Sequence, residues 1–278
     1  MTSAVRPGGR VEIRGLSVVL GAGARRTEAV RDLDLTVESG ELVSLLGPSG
    51  CGKSTILNAV AGYVPPARGS IVVGGERVDG PGPERGMVFQ QNTLLPWKTV
   101  LNNVGFGLKM RGVPERERRE ASRRLLQLVG LSGFEDAYPA HLSGGMQQRV
   151  EIARVLITEP RVVLMDEPFS ALDAQTRLAM QELLLDVWGQ VRTTVLFVTH
   201  DIDEAIFLSD RIALMTGRPC SVGGEIAIPF ERPRSAAIVG SSEFAAIKRQ
   251  CLDALGYEGR GAATPARATP AREQQTGA

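Results

Sequence analysis

The chain is predicted to fold as an α/β domain around a largely parallel sheet, and three observations carry that expectation. Strand-like runs rich in β-branched residues alternate with helical segments, the order a parallel sheet with crossover helices requires. One such run, Glu41-Leu-Val-Ser-Leu-Leu46, leads directly into Gly47-Pro-Ser-Gly-Cys-Gly-Lys-Ser54, which opens a helix. From about residue 92 to 156 the strand signal lapses, so a helical lobe should interrupt the alternation.

Residues 1–10 read as a loose polar lead-in. Val11 to Val19 and Leu33 to Val37 have strand-like spacing, separated by the turn-prone Gly21-Ala-Gly-Ala-Arg-Arg26. After the strand at 41–46, Lys53 to Ala61 reads as a helix. Ser70 to Val73 and Arg85 to Phe89 read as strands, with Asp79-Gly-Pro-Gly-Pro83 as a stiff loop between them. Val100 to Gly130 turns helical, with Pro114 placed as a first helical residue and Glu115 and Glu117 at the favourable N-terminal end. The charges from Arg116 to Arg124 read as a solvated face. Gly145 to Leu156 is the next helix and Arg161 to Met165 the next strand. Leu178, Leu185 and Trp188 fall on one face of a helix after Asp173. Thr193 to Val198, a short helix, Arg211 to Met215, a late strand at Glu225 to Phe230 and a helix at Glu243 to Leu255 complete the pattern. Beyond Gly259 the Gly, Ala, Thr, Pro, Arg and Gln composition cannot bury enough apolar surface to order itself, so a loose tail is expected.

Composition narrows the function classes. Of 278 residues, 43% are hydrophobic and 23% charged, which suits a globular chain with a real core. Thirty-two basic and 31 acidic residues give a net charge of +1, so no broad attraction to nucleic acid is expected. No apolar run approaches the ~18 residues of a membrane span, and the N-terminus shows no apolar secretory segment. Cys51, Cys220 and Cys251 lack metal spacing and a disulfide framework, which suits a reducing cytosol.

The chemistry lies in five segments. In Gly47, Pro48, Ser49, Gly50, Cys51, Gly52, Lys53 and Ser54, glycines let successive backbone N–H groups face one cradle. The helix N-terminus adds positive potential there. Lys53 would reach the β- and γ-phosphates of a nucleotide, Thr55 the α-phosphate, and the Ser54 hydroxyl would ligate Mg²⁺. Asp166 and Glu167 end the hydrophobic run Val162-Val-Leu-Met165 and so emerge at a sheet edge. Asp166 should hold Mg²⁺ through water, while Glu167 should polarise the attacking water. His200 follows the strand at 195–198 and would contact the γ-phosphate or orient Glu167. Gln90, after Gly86-Met-Val-Phe89, would complete the Mg²⁺ shell. Leu142-Ser-Gly-Gly-Met-Gln-Gln-Arg149 offers Ser143 and the Gly144 and Gly145 amides at a second helix N-terminus, with Gln147 close behind. One chain carrying two separate halves of a γ-phosphate site suggests a head-to-tail homodimer. Asp173, ending Ser170-Ala-Leu-Asp173, completes the candidate nucleotide set. Cys51 sits inside the cradle, where Lys53 and the helix N-terminus would lower its pKa; His141 reads as a loop residue.

Together these segments resemble the ATP-binding subunits of ABC transporters, over about Val11 to Met215. The resemblance implies a phosphate-loop NTPase core with a mostly parallel sheet, an antiparallel β-subdomain and a helical subdomain insert, binding ATP and Mg²⁺. Gly80-Pro-Gly-Pro-Glu-Arg-Gly86 and Leu94-Leu-Pro-Trp97 further resemble the nitrate, sulfonate and taurine importer group. That group implies an ATPase dimer on the cytoplasmic membrane face, bound to permease subunits and served by an external solute-binding protein. Leu95, Pro96 and Trp97 lie where such subunits receive the permease. Two positions depart from the family pattern. The loop after the first strand has no aromatic to stack on adenine, leaving Leu20 or Val30 for apolar contact, and Met146 replaces Gln at the fifth signature position. The rival readings are a soluble non-transport ABC ATPase, another phosphate-loop enzyme and a nucleotide-sensing regulator. The guanine-specifying Asn-Lys-X-Asp of GTPases is absent, and intact Glu167 and His200 argue against a mere sensor.

Overall fold

The computed structural model describes residues 8–23 and 26–256, so the expected tail beyond Gly259 lies outside the described residues, as does most of the lead-in. Of that lead-in, Gly9 donates to the Arg161 carbonyl at 2.9 Å and the Arg10 carbonyl accepts from Gly74 at 2.8 Å. The chain then runs through β1 (Val11–Leu20), β2 (Thr27–Val37), β3 (Leu42–Leu46), α1 (Lys53–Ala61), β4 (Arg68–Val73), β5 (Glu76–Arg77) and β6 (Arg85–Val88). Four helices follow without a strand between them: α2 (Val100–Val104), α3 (Phe106–Met110), α4 (Glu115–Leu128) and α5 (Gly144–Leu156). β7 (Val162–Asp166), α6 (Ala174–Val191), β8 (Thr194–Thr199), α7 (Ile202–Leu208), β9 (Arg211–Thr216), β10 (Ser221–Ala227) and α8 (Ser242–Ala254) complete the order.

Two sheets form. The smaller, in the order β2-β1-β4-β5, is antiparallel. The larger has the order β10-β9-β3-β8-β7-β6, with every pairing parallel except β10 with β9. The expected α/β core with a mostly parallel sheet and an antiparallel β-subdomain is therefore what forms.

The larger sheet is covered on both faces over its central strands β3, β7 and β8, which read accordingly as continuous apolar runs. Every residue of β3 and β8 is buried. Alternate side chains nevertheless enter different cores, as the two-residue period of a strand demands. Leu42, Leu46, Val163, Met165, Val195 and Phe197 pack into a core shared with α2, α5 and α6. Val43, Leu45, Val162, Leu164, Leu196 and Val198 pack into another, shared with β1, β2 and α1. Truncating Phe197, which is fully buried, should cost roughly 3–5 kcal/mol.

Some boundaries differ from the sequence expectation. Pro114 is the N-cap of α4 rather than its first residue, because its ψ of 146° is extended and helical geometry starts at Glu115. The late strand lies at 221–227, not 225–230, because pairing with β9 sets it, beginning with Ser221 opposite Thr216. Within α4, Glu120 and Arg124 pair at 2.8 Å on an exposed face, as the charge pattern suggested.

Candidate functional site

Sheet order brings the functional residues together. β3, β8 and β7 are parallel neighbours, so their C-terminal ends lie side by side at one edge. Gly47, His200 and Glu167 each follow one of those ends by a single position, with Asp166 as the last residue of β7. Crevices beyond the carboxyl ends of parallel strands are where α/β folds place ligands.

The glycine loop is shaped by close packing. Gly52 has φ 129°, and a Cβ there would stand 2.7 Å from the Ala29 carbonyl oxygen and 2.9 Å from Cys220 Cβ. Any other residue would both strain the backbone and push the loop off its support. Lys53 is 4% exposed, and its Nζ donates to the Gly47 and Pro48 carbonyls at 2.7 and 3.0 Å. The loop thereby curls around its own ammonium.

Across the edge, the Ser54 hydroxyl donates to Asp166 Oδ1 at 2.8 Å. Burial pushes the Asp166 carboxyl above its ordinary range, against the lowering effects of Ser54 and Lys53. Glu167 Oε2 lies 2.9 Å from His200 Nδ1. Glu167 also has φ 44°, a left-handed conformation uncommon for a non-glycine residue, and its N–H is held by the Val198 carbonyl at 3.0 Å. Strain of that kind clusters at functional sites. Gln90 sits two residues beyond β6, exposed at the same end of the sheet.

A cleft of about 400 Å³ runs beside the loop, lined by Gly50, Cys51, Gly52, Lys53, Ser54, Thr55 and Glu167. Its other wall was not foreseen from sequence: Thr27, Glu28, Ala29, Arg218 and Pro219. Arg218 donates to the Ser49 carbonyl at 3.0 Å. No local signal in Gly217-Arg-Pro219 announces this, because the contact joins segments far apart in the chain. Of the two apolar candidates for the base, Leu20 lines the cleft, whereas Val30 is fully buried in the core and unable to face a ligand.

The second helix N-terminus is built differently. Ser143 caps α5, its hydroxyl accepting from the Met146 N–H at 3.3 Å. Gln147 is engaged within the chain, donating to the Pro139 and Leu142 carbonyls at 2.9 and 3.2 Å and accepting from Asn92. Met146 is partly buried against the core, so a non-polar side chain is accommodated there. Asp173 caps α6 by accepting from the Thr176 N–H at 3.0 Å, and that bond holds its carboxyl below the ordinary range. Ser143, Gly144 and Gly145 do not line the cleft at the glycine loop.

The segment after Gln90 is tied to α5. Thr93 donates to Glu151, and Arg154 donates to the Thr93 carbonyl at 2.8 Å. Burial raises the pKa of Glu151. Asn103, fully buried, then fixes the following loop by accepting from the Leu95 N–H at 2.8 Å and donating to the Leu95, Lys98 and Thr99 carbonyls. Held in this way, the loop presents Trp97, which is 71% exposed.

Residues 30–170 match the family described as ABC transporter. The chain is 47% identical over 249 residues to an uncharacterized ABC transporter ATP-binding protein of Methanocaldococcus jannaschii, covering 90% of this chain and 92% of that one. It is 46% identical over 229 residues to the taurine import ATP-binding protein of Escherichia coli K12, covering 81% and 90%. A solved structure described as a dimeric, post-hydrolysis ATP-binding cassette bound to ADP and Pi aligns with TM-score 0.70 at 31% identity. That alignment covers 80% of this chain and all of the other. Among the described residues no helix is long and apolar enough to cross a membrane.

Proposed function

The chain belongs to the ABC transporter ATP-binding family of ATPases, and from that premise we propose that it is the ATP-hydrolysing subunit of an importer. The observation that carries the hydrolytic assignment is the pairing of Glu167 with His200 at 2.9 Å beside Ser54 and Asp166 at 2.8 Å. In this reading Gly47 to Thr55 hold the phosphates, and Lys53 leaves its carbonyl partners to meet the β- and γ-oxygens. Glu167 orients a water toward the γ-phosphorus and takes up its proton as ADP leaves. His200 holds the Glu167 carboxylate in position. Ser54, Asp166 and Gln90 offer a hydroxyl, a carboxylate and an amide, the hard oxygen donors that suit Mg²⁺. When bound, Mg²⁺ would neutralise phosphate charge there.

Ser143, Gly144 and Gly145, together with Gln147 and Asp173, would serve the nucleotide of a second copy, in a head-to-tail dimer. The solved relative described as a dimer supports this arrangement. Residues 92–156 then act as a helical subdomain that takes the permease at Leu95, Pro96 and Trp97. A rigidly backed, exposed Trp suits an interface anchor. The subunit would sit at the cytoplasmic membrane face, served indirectly by a solute-binding protein. The solute would be small and anionic or zwitterionic, such as a sulfonate, taurine or nitrate, and the taurine import relative supports taurine-like chemistry among these. The test is affinity isolation of the chain from gently solubilised native membranes. A stoichiometric multi-span permease is the expected companion; recovery only from the soluble fraction, with ribosomes, DNA or nothing attached, would replace the importer with a soluble ABC ATPase.

A further inference from the structure

We infer that Cys51 and Cys220 form an oxidisable thiol pair, a modification site whose closure to a disulfide disables the phosphate cradle. The two sulfurs lie 3.8 Å apart. They come from separate parts of the chain: Cys51 from the glycine loop between β3 and α1, Cys220 from the turn that precedes β10. Cys220 is fixed along its backbone, donating to the Ala29 carbonyl at 2.9 Å and accepting from the Arg31 N–H at 3.1 Å. Gly52 presses on the same place, since a Cβ there would approach Cys220 Cβ to 2.9 Å. The packing that gives the loop its shape therefore also holds the thiols together.

Access is one-sided. Cys51, although only 3% exposed, lines the cleft beside the loop, whereas Cys220 is fully buried behind it. A small peroxide entering the cleft meets Cys51 first. Its thiolate attacks one peroxide oxygen, the O–O bond breaks, and Cys51 becomes a sulfenic acid while the other oxygen leaves as water. The Cys220 sulfur then attacks the Cys51 sulfur and expels hydroxide, which departs as water with the Cys220 proton. In sum, two thiols and one peroxide yield one disulfide and two waters, with two electrons passing from sulfur to peroxide. The Cys220 thiol hydrogen bond, and then the Lys53 ammonium, hold the Cys51 pKa down, which favours the attacking thiolate.

A disulfide bond of about 2.0 Å requires the sulfurs to close from 3.8 Å, drawing Cys51 toward β10. That movement shifts the loop immediately before Lys53. Cys251 is an internal control: it is buried in the other core, and burial alone pushes its pKa up to about 11.

The loss of activity rests on the phosphate-loop reading, whereas the thiol linkage does not. Hydrogen peroxide would be applied to the full chain with and without MgATP, followed by peptide mapping under non-reducing conditions. ATPase would be assayed in parallel before and after dithiothreitol. The expected result is a linked Cys51–Cys220 peptide, a free Cys251 thiol, and ATPase lowered at least tenfold and restored by reduction. MgATP should slow both changes. The Cys220→Ser variant should keep its reduced-state ATPase and yield no linked peptide. Oxidation of Cys51 without linkage to Cys220, or linkage with unchanged ATPase, would overturn the inference. If the reduced wild-type chain lacks ATPase, the phosphate-loop reading fails, while the peptide map still judges the thiol pair.

Discussion

Helix α1 starts directly after Gly52 and α5 at Gly144, and both are candidate anion sites, yet the chain equips them unequally. Around the start of α1 stand a buried lysine, a hydroxyl bonded to a carboxylate at 2.8 Å, and the Glu167–His200 pair. Around the start of α5 there is Ser143, capping its own helix, and a glutamine committed to carbonyls of the same chain. The first N-terminus lies at the carboxyl edge of parallel strands, where three strand ends deliver acid, base and cation together. The second lies among the helices that separate β6 from β7 in the chain. A helix N-terminus is thus only potential until the surrounding fold supplies chemistry; in the proposed dimer α5 would meet that chemistry on another copy.

Four measurements test that contrast. Glu167→Gln should lower turnover by roughly 10²–10⁴, the usual reach of general base catalysis, while ATP binding persists and a nucleotide-bound dimer accumulates. Near-normal hydrolysis would remove the base from the α1 site. Lys53→Ala should weaken ATP binding by roughly 100-fold, as expected for losing charge-assisted contacts of about 3 kcal/mol. Ser143→Arg should cut turnover by roughly 10–100-fold while leaving ATP affinity of the dilute chain unchanged. Equal loss of binding there would place α5 in the same chain's own nucleotide site and erase the contrast.

The smallest effect is on stability. Burial raises the Asp166 pKa above its ordinary 3.8, so the folded state favours the protonated form. The associated stability is present at low pH and is lost as pH rises from 3.8 through the raised value. Asp166→Asn, which still accepts from Ser54, should therefore raise the thermal midpoint at pH 7 by about 1–3 °C without nucleotide, the gain shrinking toward pH 4. Activity should fall in the same variant. A lower midpoint at neutral pH would show that Asp166 supports the fold rather than burdening it.

Much of the candidate site was legible because its signals are local. Helix α1 runs over Lys53–Ala61 as expected, since Gly52 and Gly62 bound it with positive φ. The apolar run before Asp166 is a strand because it is buried, and its length places the acids at its end. Other elements were hidden for equally physical reasons. The first half of β2, Thr27 to Asp32, is polar and mostly exposed or half-buried, so its strand character comes from pairing with β1. β5 is only Glu76–Arg77 and carries no periodicity.

Most strands and helices, the glycine loop, the acidic strand end and the family were legible in the sequence alone. Each of these depends on residues adjacent along the chain, where backbone preference and apolar period act directly. Which of these segments meet is a matter of tertiary packing. Sheet order set Glu167 against His200 and Ser54 against Asp166. Packing of the loop on the β2 and β10 segments brought Arg218 into the cleft and Cys51 to Cys220, while β-core packing took Val30 out of reach. Such contacts join residues far apart in the chain, from 33 positions for Glu167 and His200 to 169 for Cys51 and Cys220, where no local preference can specify a partner.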